Sequence, residues 1–198
     1  GGLYISDYSY LLDGVFKIYL TGHKTAFLDD YNYFDNRILP ASDTPQAWPI
    51  HSQYNTISLP TALEQKHKEN ETVAFLVIKN DSLYFEKYYD GYGVDSKSNS
   101  FSVAKSFVSA LLGRAIMDGY IKGLDQSVQD FIPELTGPYA DQVTVGDLVT
   151  MSSGQQWEEK YYSPFSITAA AYFLEDLDSA IVKQPIDEIP GKSFIYKS

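Results

Sequence analysis

Between Val103 and Ile116 the chain reads "VAKSFVSALLGRAI", and its apolar positions do not keep to one face. At the helical period, Val103, Ala104, Phe107, Val108, Leu111, Leu112, Ala115 and Ile116 cover nearly the whole circumference. A helix apolar on all sides needs neighbours on all sides, so this segment is expected to run through the centre of the fold. Gly119 suits its C-terminal cap. The other end raises a question. Ser102 is a natural N-cap, but Lys105 stands three residues on, where a capping box has Glu or Gln.

Two readings of "SVAK" compete. In the first, Ser102 caps the helix and Lys105 extends to solvent. That reading leaves the cap's own N–H without an acceptor. It also sets a cation against the positive end of the helix dipole, at a cost of about 0.3–1 kcal/mol. In the second, the pair is chemical. Residues i and i+3 share a face, so the amine reaches the hydroxyl. Desolvation and the dipole both disfavour the ammonium form and would make the lysine a usable base. The same field favours negative charge on Ser102 Oγ and on an oxyanion held by the Ser102 N–H. The four-residue pattern alone is weak.

Upstream, "TVAFLVIKNDSLYFEKYYDGYG" reads as a hairpin. Val73–Lys79 and Ser82–Tyr89 are its strands and Asn80-Asp81 its tight turn. The first strand is apolar enough to need cover on both faces. Residues 8–21 read as a helix. Residues 22–62 carry prolines and Asn/Asp clusters and read as an irregular arm anchored by Tyr31, Tyr33, Phe34 and Trp48. Beyond Gly119, "LDQSVQDFIPEL" is a short helix or turn closed by Pro133. Thr144 caps a helix that Gly154 terminates, "SPFSITAAAYFLEDL" is another helix, and Pro190-Gly191 is a turn. Strands ahead of helices suggest a mixed sheet followed by a helical insertion.

Composition narrows the functions. A net charge of -11 disfavours nucleic acid or an anionic membrane as partner. There is no cysteine, hence no thiol nucleophile, disulfide or thiolate metal site. No transmembrane helix or signal peptide is visible; "YLLDGVFKIYLTG" is broken by Asp13, Gly14 and Lys17. Gly1-Gly2 looks like a processed end, and "GKSFIYKS" stops in mid-pattern, as if a longer protein were cut there. His23, His51 and His67 are isolated, no G-x-S-x-G or H-E-x-x-H occurs, and no glycine loop cradles phosphate. No metal or cofactor is implied.

The run "FSVAKSFVSALLGRAIMDGYIKGLDQSVQDFIPEL" resembles the serine β-lactamase and penicillin-binding protein superfamily. The likeness is to its β-lactamase-related hydrolase branch, which includes class C enzymes, family VIII esterases and 6-aminohexanoate-dimer hydrolases. "VTVGDLVTMSSGQQWEE" and the lead-in "FLDDYNYFDNR" extend it to about residues 20–198. The resemblance implies an α/β (α+β) class with a β-lactamase/transpeptidase-like fold, an antiparallel sheet flanked by helices plus an all-helical lobe, in which residues 1–100 give the arm and first strands and residues 101–198 the central helix and much of the helical lobe. It also implies Ser102 as nucleophile, with Lys105 and the Tyr196 of "FIYKS" moving its proton. Tyr161 would contact substrate, with Tyr162 one residue away, and Ser198 would orient the site. The substrate would be a small ester, amide or short peptide, hydrolysed through an acyl-enzyme. A slowly deacylating penicillin sensor and a purely structural module are the alternatives.

The superfamily's K-T-G or H-x-G strand does not occur before Ser198, so a further C-terminal segment is expected to complete the fold. The resemblance places such proteins in the periplasm or at the cell surface, although the aminohexanoate-dimer enzymes are cytoplasmic.

Overall fold

The structure is a computed structural model and describes residues 8–197. Contacts divide it into two compact units, residues 35–98 and residues 8–34 together with 99–197. The sequence reading kept the whole arm with the hairpin. Residues 8–34 instead join the helical unit, because α1 (Tyr10–Lys17) packs on α5 (Ile167–Phe173) and the Phe34 ring meets those of Tyr172 and Phe173 at 5.5 and 6.1 Å.

The smaller unit is built on an antiparallel hairpin, β1 (Ala74–Lys79) and β2 (Ser82–Tyr88). Asn80 and Asp81 both take positive φ, 50° and 55°, which is what a two-residue turn needs to match strand twist. Helix α2 (Thr61–Glu69) covers one face of the hairpin. Its His67 ring lies 4.6 Å from Phe75 and 5.4 Å from Tyr89, and its Glu64 pairs with Lys87 at 2.5 Å.

The far edge of β2 is closed by chain, with His51 N–H donating to Leu83 O and Asn55 exchanging two bonds with the Glu86 backbone. The alternate residues of β1, Leu76 and Ile78, stay exposed among the described residues. The two-sided cover expected for β1 is therefore present on one side. Trp48 is also exposed, and the arm is held by other groups.

In the larger unit the buried cluster is Val128, Leu135, Ala140, Val143 and Ile186, with Ile132 and Tyr139 against it. Helix α3 (Ala104–Met117) is not part of it. None of its 14 residues is buried, and Phe107 and Leu111 are each 67% exposed. The expected central helix thus lies open among the described residues, where its one substantial neighbour is the 3-10 turn Phe101–Val103. Its apolar circumference needs elements on every side, and these residues supply few.

Helix α4 (Val145–Val149) begins as the sequence suggests. Thr144 Oγ1 accepts from Asp147 N–H, and the Asp147 carboxylate accepts in return from Thr144 N–H. After α4 the chain at Met151–Gln156 runs beside residues 185–195, joined by Gln156 N–H to Pro185 O, Gly191 N–H to Ser152 O and Ile195 N–H to Met151 O, at 2.8 to 2.9 Å. Helix α6 (Leu177–Val182), capped by Asp176, leads into this return.

Gly154 makes the close approach possible. Its φ is +70°, and a Cβ there would fall 2.1 Å from Glu188 O. Gly154→Ala in the full-length protein is therefore expected to destabilise by more than about 1 kcal/mol, since both the backbone conformation and the contact are lost to it. Thermal unfolding that leaves Tm unchanged would show that this pairing does not hold the unit together.

Candidate active site

Ser102 does not cap α3. The cap position is Val103, which makes no side-chain cap bond, and Ser102 sits in the preceding 3-10 turn. Its hydroxyl is thereby released from the backbone and turned to two other groups. Ser102 Oγ lies 2.6 Å from Tyr196 Oη and accepts from Lys105 Nζ at 3.4 Å. Lys105 Nζ is also 5.2 Å from the centre of the Tyr196 ring. The three groups that the sequence reading joined are thus in mutual contact, although Tyr196 lies 94 positions from Ser102.

The turn is held in an unfavourable shape. Phe101 has φ +44°, a conformation that costs a non-glycine residue about 1–3 kcal/mol and persists only where surroundings impose it. Those surroundings start at Asn99. Its Oδ1 accepts Phe101 N–H at 2.9 Å, its own N–H donates to Leu28 O at 2.6 Å, and its Nδ2 donates to Asp30 Oδ1 and Tyr172 Oη.

Asp30 is completely buried and accepts in addition from Phe27 N–H and from the Tyr172 hydroxyl at 2.7 Å. Burial, and then the bond to Asp30, push the Tyr172 phenol far above its usual range, so it stays a donor. Asn99, Asp30 and Tyr172 were not singled out in the sequence. The only signal was a buried-type Asp inside "FLDDYN" and an Asn three residues before the serine, and neither is distinctive without the contact.

Tyr196 is positioned from the other side. Ile195 N–H is bonded to Met151 O, and the following Lys197 Nζ donates to Gln155 O. The Tyr196 phenol is held below its ordinary value of 10.0. The hydrogen bond to Ser102 contributes most and Lys105 adds to it, while desolvation and, less, the Glu159 carboxylate oppose. Burial lowers Lys197, the next residue, as it does for any amine withdrawn from water.

A cavity of about 630 Å³ opens beside Ser102 and Lys105. Tyr161 lines it and donates its hydroxyl to Glu159, whereas Tyr162 is exposed and outside the lining. Ser198 lies outside the described residues. The three histidines are engaged in ring packing, His23 on Phe27, His51 on Tyr84 and His67 between Phe75 and Tyr89. Among the described residues no group of His, Cys, Asp and Glu could hold a metal ion, and no helix is long and apolar enough to cross a membrane. A hydroxyl in contact with an acidified phenol and an ammonium, at the wall of a cavity, is an arrangement suited to nucleophilic attack.

A model of the Beta-lactamase family matches residues 61–198. A 6-aminohexanoate-dimer hydrolase from Paenarthrobacter ureafaciens is 33% identical over 104 residues, 52% of this chain and 26% of that protein. A solved structure from Bacillus anthracis, provisionally named a 6-aminohexanoate-dimer hydrolase, superposes with a TM-score of 0.62 at 19% identity. That match covers 88% of this chain and 48% of the other. The chain therefore spans about a quarter of the one relative and half of the other.

The ionisation of Tyr196 is directly measurable. In the full-length protein, the ultraviolet titration difference between wild type and Tyr196→Phe should show one phenolate forming below the usual tyrosine value of about 10. Ser102→Ala should move that step upward, because the serine hydrogen bond is the larger cause. A step at or above the usual value would contradict the geometry.

Proposed function

We propose that this chain, which belongs to the Beta-lactamase family and has that fold, is a hydrolase in which Ser102, Lys105 and Tyr196 cleave an ester or amide through an acyl-enzyme. The observation that carries the reading is the simultaneous contact of Ser102 Oγ with Tyr196 Oη and Lys105 Nζ.

In this mechanism the Tyr196 phenolate, favoured by the neighbouring ammonium, takes the proton of Ser102 as Oγ attacks the carbonyl carbon. The Ser102 N–H faces the developing oxyanion as a donor. The tetrahedral intermediate collapses, the C–N or C–O bond breaks, and Tyr196 returns its proton to the leaving nitrogen or oxygen. Water then adds to the acyl-enzyme with the same phenolate as base, which releases the acid and restores Ser102.

Lys105 explains its own position here. A cation at the start of α3 is poor for the helix but lowers the phenol on which proton transfer depends. The substrates that fit are short esters and linear amides. The named activity of the Paenarthrobacter relative, hydrolysis of an aminohexanoate dimer, supports the amide. Tyr161, on the cavity wall, is placed to touch the substrate.

Ser102→Ala in the full-length protein is expected to abolish hydrolysis of p-nitrophenyl esters, and Lys105→Ala to do nearly as much. Tyr196→Phe should slow it by about 10²–10⁴-fold, the usual contribution of a positioned base. Wild-type rates in Ser102→Ala would refute the nucleophile. A long-lived β-lactam adduct on Ser102, seen by mass spectrometry without turnover, would favour a sensor over a hydrolase.

A further inference from the structure

Asn99 has every polar atom of its side chain engaged. Oδ1 accepts Phe101 N–H at 2.9 Å, while Nδ2 donates to Asp30 Oδ1 at 2.9 Å and to Tyr172 Oη at 2.7 Å. These neighbours fix which way the amide points. A backbone N–H can only donate, so Oδ1 must face Phe101, and both Nδ2 hydrogens are then left for the carboxylate and the phenol. The phenol cannot turn away, because its own proton goes to Asp30 Oδ2 and its ring stands edge-on to Phe34 and Phe173 at 5.5 and 5.2 Å. Asparagine supplies this set at this length. An aspartate at position 99 would keep the acceptor for Phe101 but turn an oxygen toward the Asp30 carboxylate.

The amide acts at the residue next to the nucleophile. Phe101 stands at φ +44°, whereas Ser100 before it and Val103 beyond Ser102 keep right-handed helical values. A return of Phe101 to negative φ would rotate the peptide that carries Ser102. That rotation would swing Oγ away from Tyr196 Oη, now 2.6 Å distant. The contact at the heart of the site therefore depends on a backbone conformation that Phe101 does not favour and that Asn99 restrains from three positions upstream.

From this arrangement we infer that Asn99 is a positioning residue for the nucleophile: its amide, oriented by Asp30 and Tyr172, holds the Phe101 peptide so that Ser102 Oγ meets Tyr196. The inference deepens the hydrolase reading and rests on it, since Ser102 attacks there and Tyr196 moves the proton. Ser102, Lys105 and Glu159 all bear on the Tyr196 phenol. Asn99 governs the first of them and leaves the other two in place.

The test follows the ionisation of Tyr196, which depends on the serine contact and not on general stability. In the full-length protein the step is isolated as the ultraviolet titration difference between each variant and the same variant carrying Tyr196→Phe. Asn99→Ala should raise the Tyr196 step, in the direction expected of Ser102→Ala. Added to Ser102→Ala, it should move the step no further, because the contact through which it acts is already gone. Tyr172→Phe keeps the ring and loses only the hydroxyl. It should raise the step by less, and it carries the same test if Asn99→Ala does not fold. Hydrolysis of p-nitrophenyl acetate should fall about 10–10²-fold in Asn99→Ala, the scale of loss for a reacting group displaced by about an ångström.

An unmoved Tyr196 step in the folded variants, or an equal shift with and without the Ser102 hydroxyl, would overturn the inference and leave the hydrolase reading standing. A raised, serine-dependent step in a protein whose wild type hydrolyses neither esters nor amides would uphold the positioning role and overturn the hydrolase reading instead.

Discussion

The site depends on one hydrogen bond, that between Ser102 Oγ and Tyr196 Oη. Neither residue lies in the helix or sheet that dominates its part of the chain. Ser102 is in a tight turn ahead of α3, and Tyr196 is in a segment outside the described helices and strands, joined on either side by Ile195 N–H to Met151 O and Lys197 Nζ to Gln155 O. Each must be brought to within 2.6 Å of the other by its own support. On one side that support is the Asp30, Asn99 and Tyr172 network. On the other it is the pairing of residues 151–156 with 185–195, which the absence of a side chain at Gly154 permits.

The two supports differ physically. The first is a closed set of polar groups around a fully buried carboxylate, with each acceptor matched to a donor. Such a set is costly to break, because a lost partner leaves a charge without compensation in a place that water does not reach. It can therefore hold Phe101 in a strained conformation. The second is a run of backbone bonds over a small apolar core. It sets a position rather than storing strain, and steric contact is its limit.

Charge is arranged with the same economy. The Lys105 ammonium is misplaced by the rules of helix stability and well placed beside a phenol. Among the described residues the cavity lining includes no carboxylate, in a protein that is acidic elsewhere. Asp30, the acidic residue most deeply withdrawn, sits behind the aromatic wall and serves the turn.

Much of this was legible from residue order alone. The Asn80-Asp81 hairpin, the Thr144 cap, the Pro190-Gly191 turn and the helix at 104–117 follow from local preferences, which act over a few positions and so leave their mark in the sequence. The stop expected at Gly154 was not legible in this way, since that helix ends at Val149 and the glycine serves the close approach to Glu188 instead. The misfit of Lys105 was legible too, since a residue that offends its local structure points to a use elsewhere. Other features were settled only by tertiary structure. The arm splits between two units, Ser102 gives up its cap, α3 lies open among the described residues, and Asp30 and Asn99 meet across 69 positions. Polar networks and close backbone approaches are made between segments far apart in the chain. Their energy comes from burial and geometry that no local pattern encodes, and only the folded chain decides them.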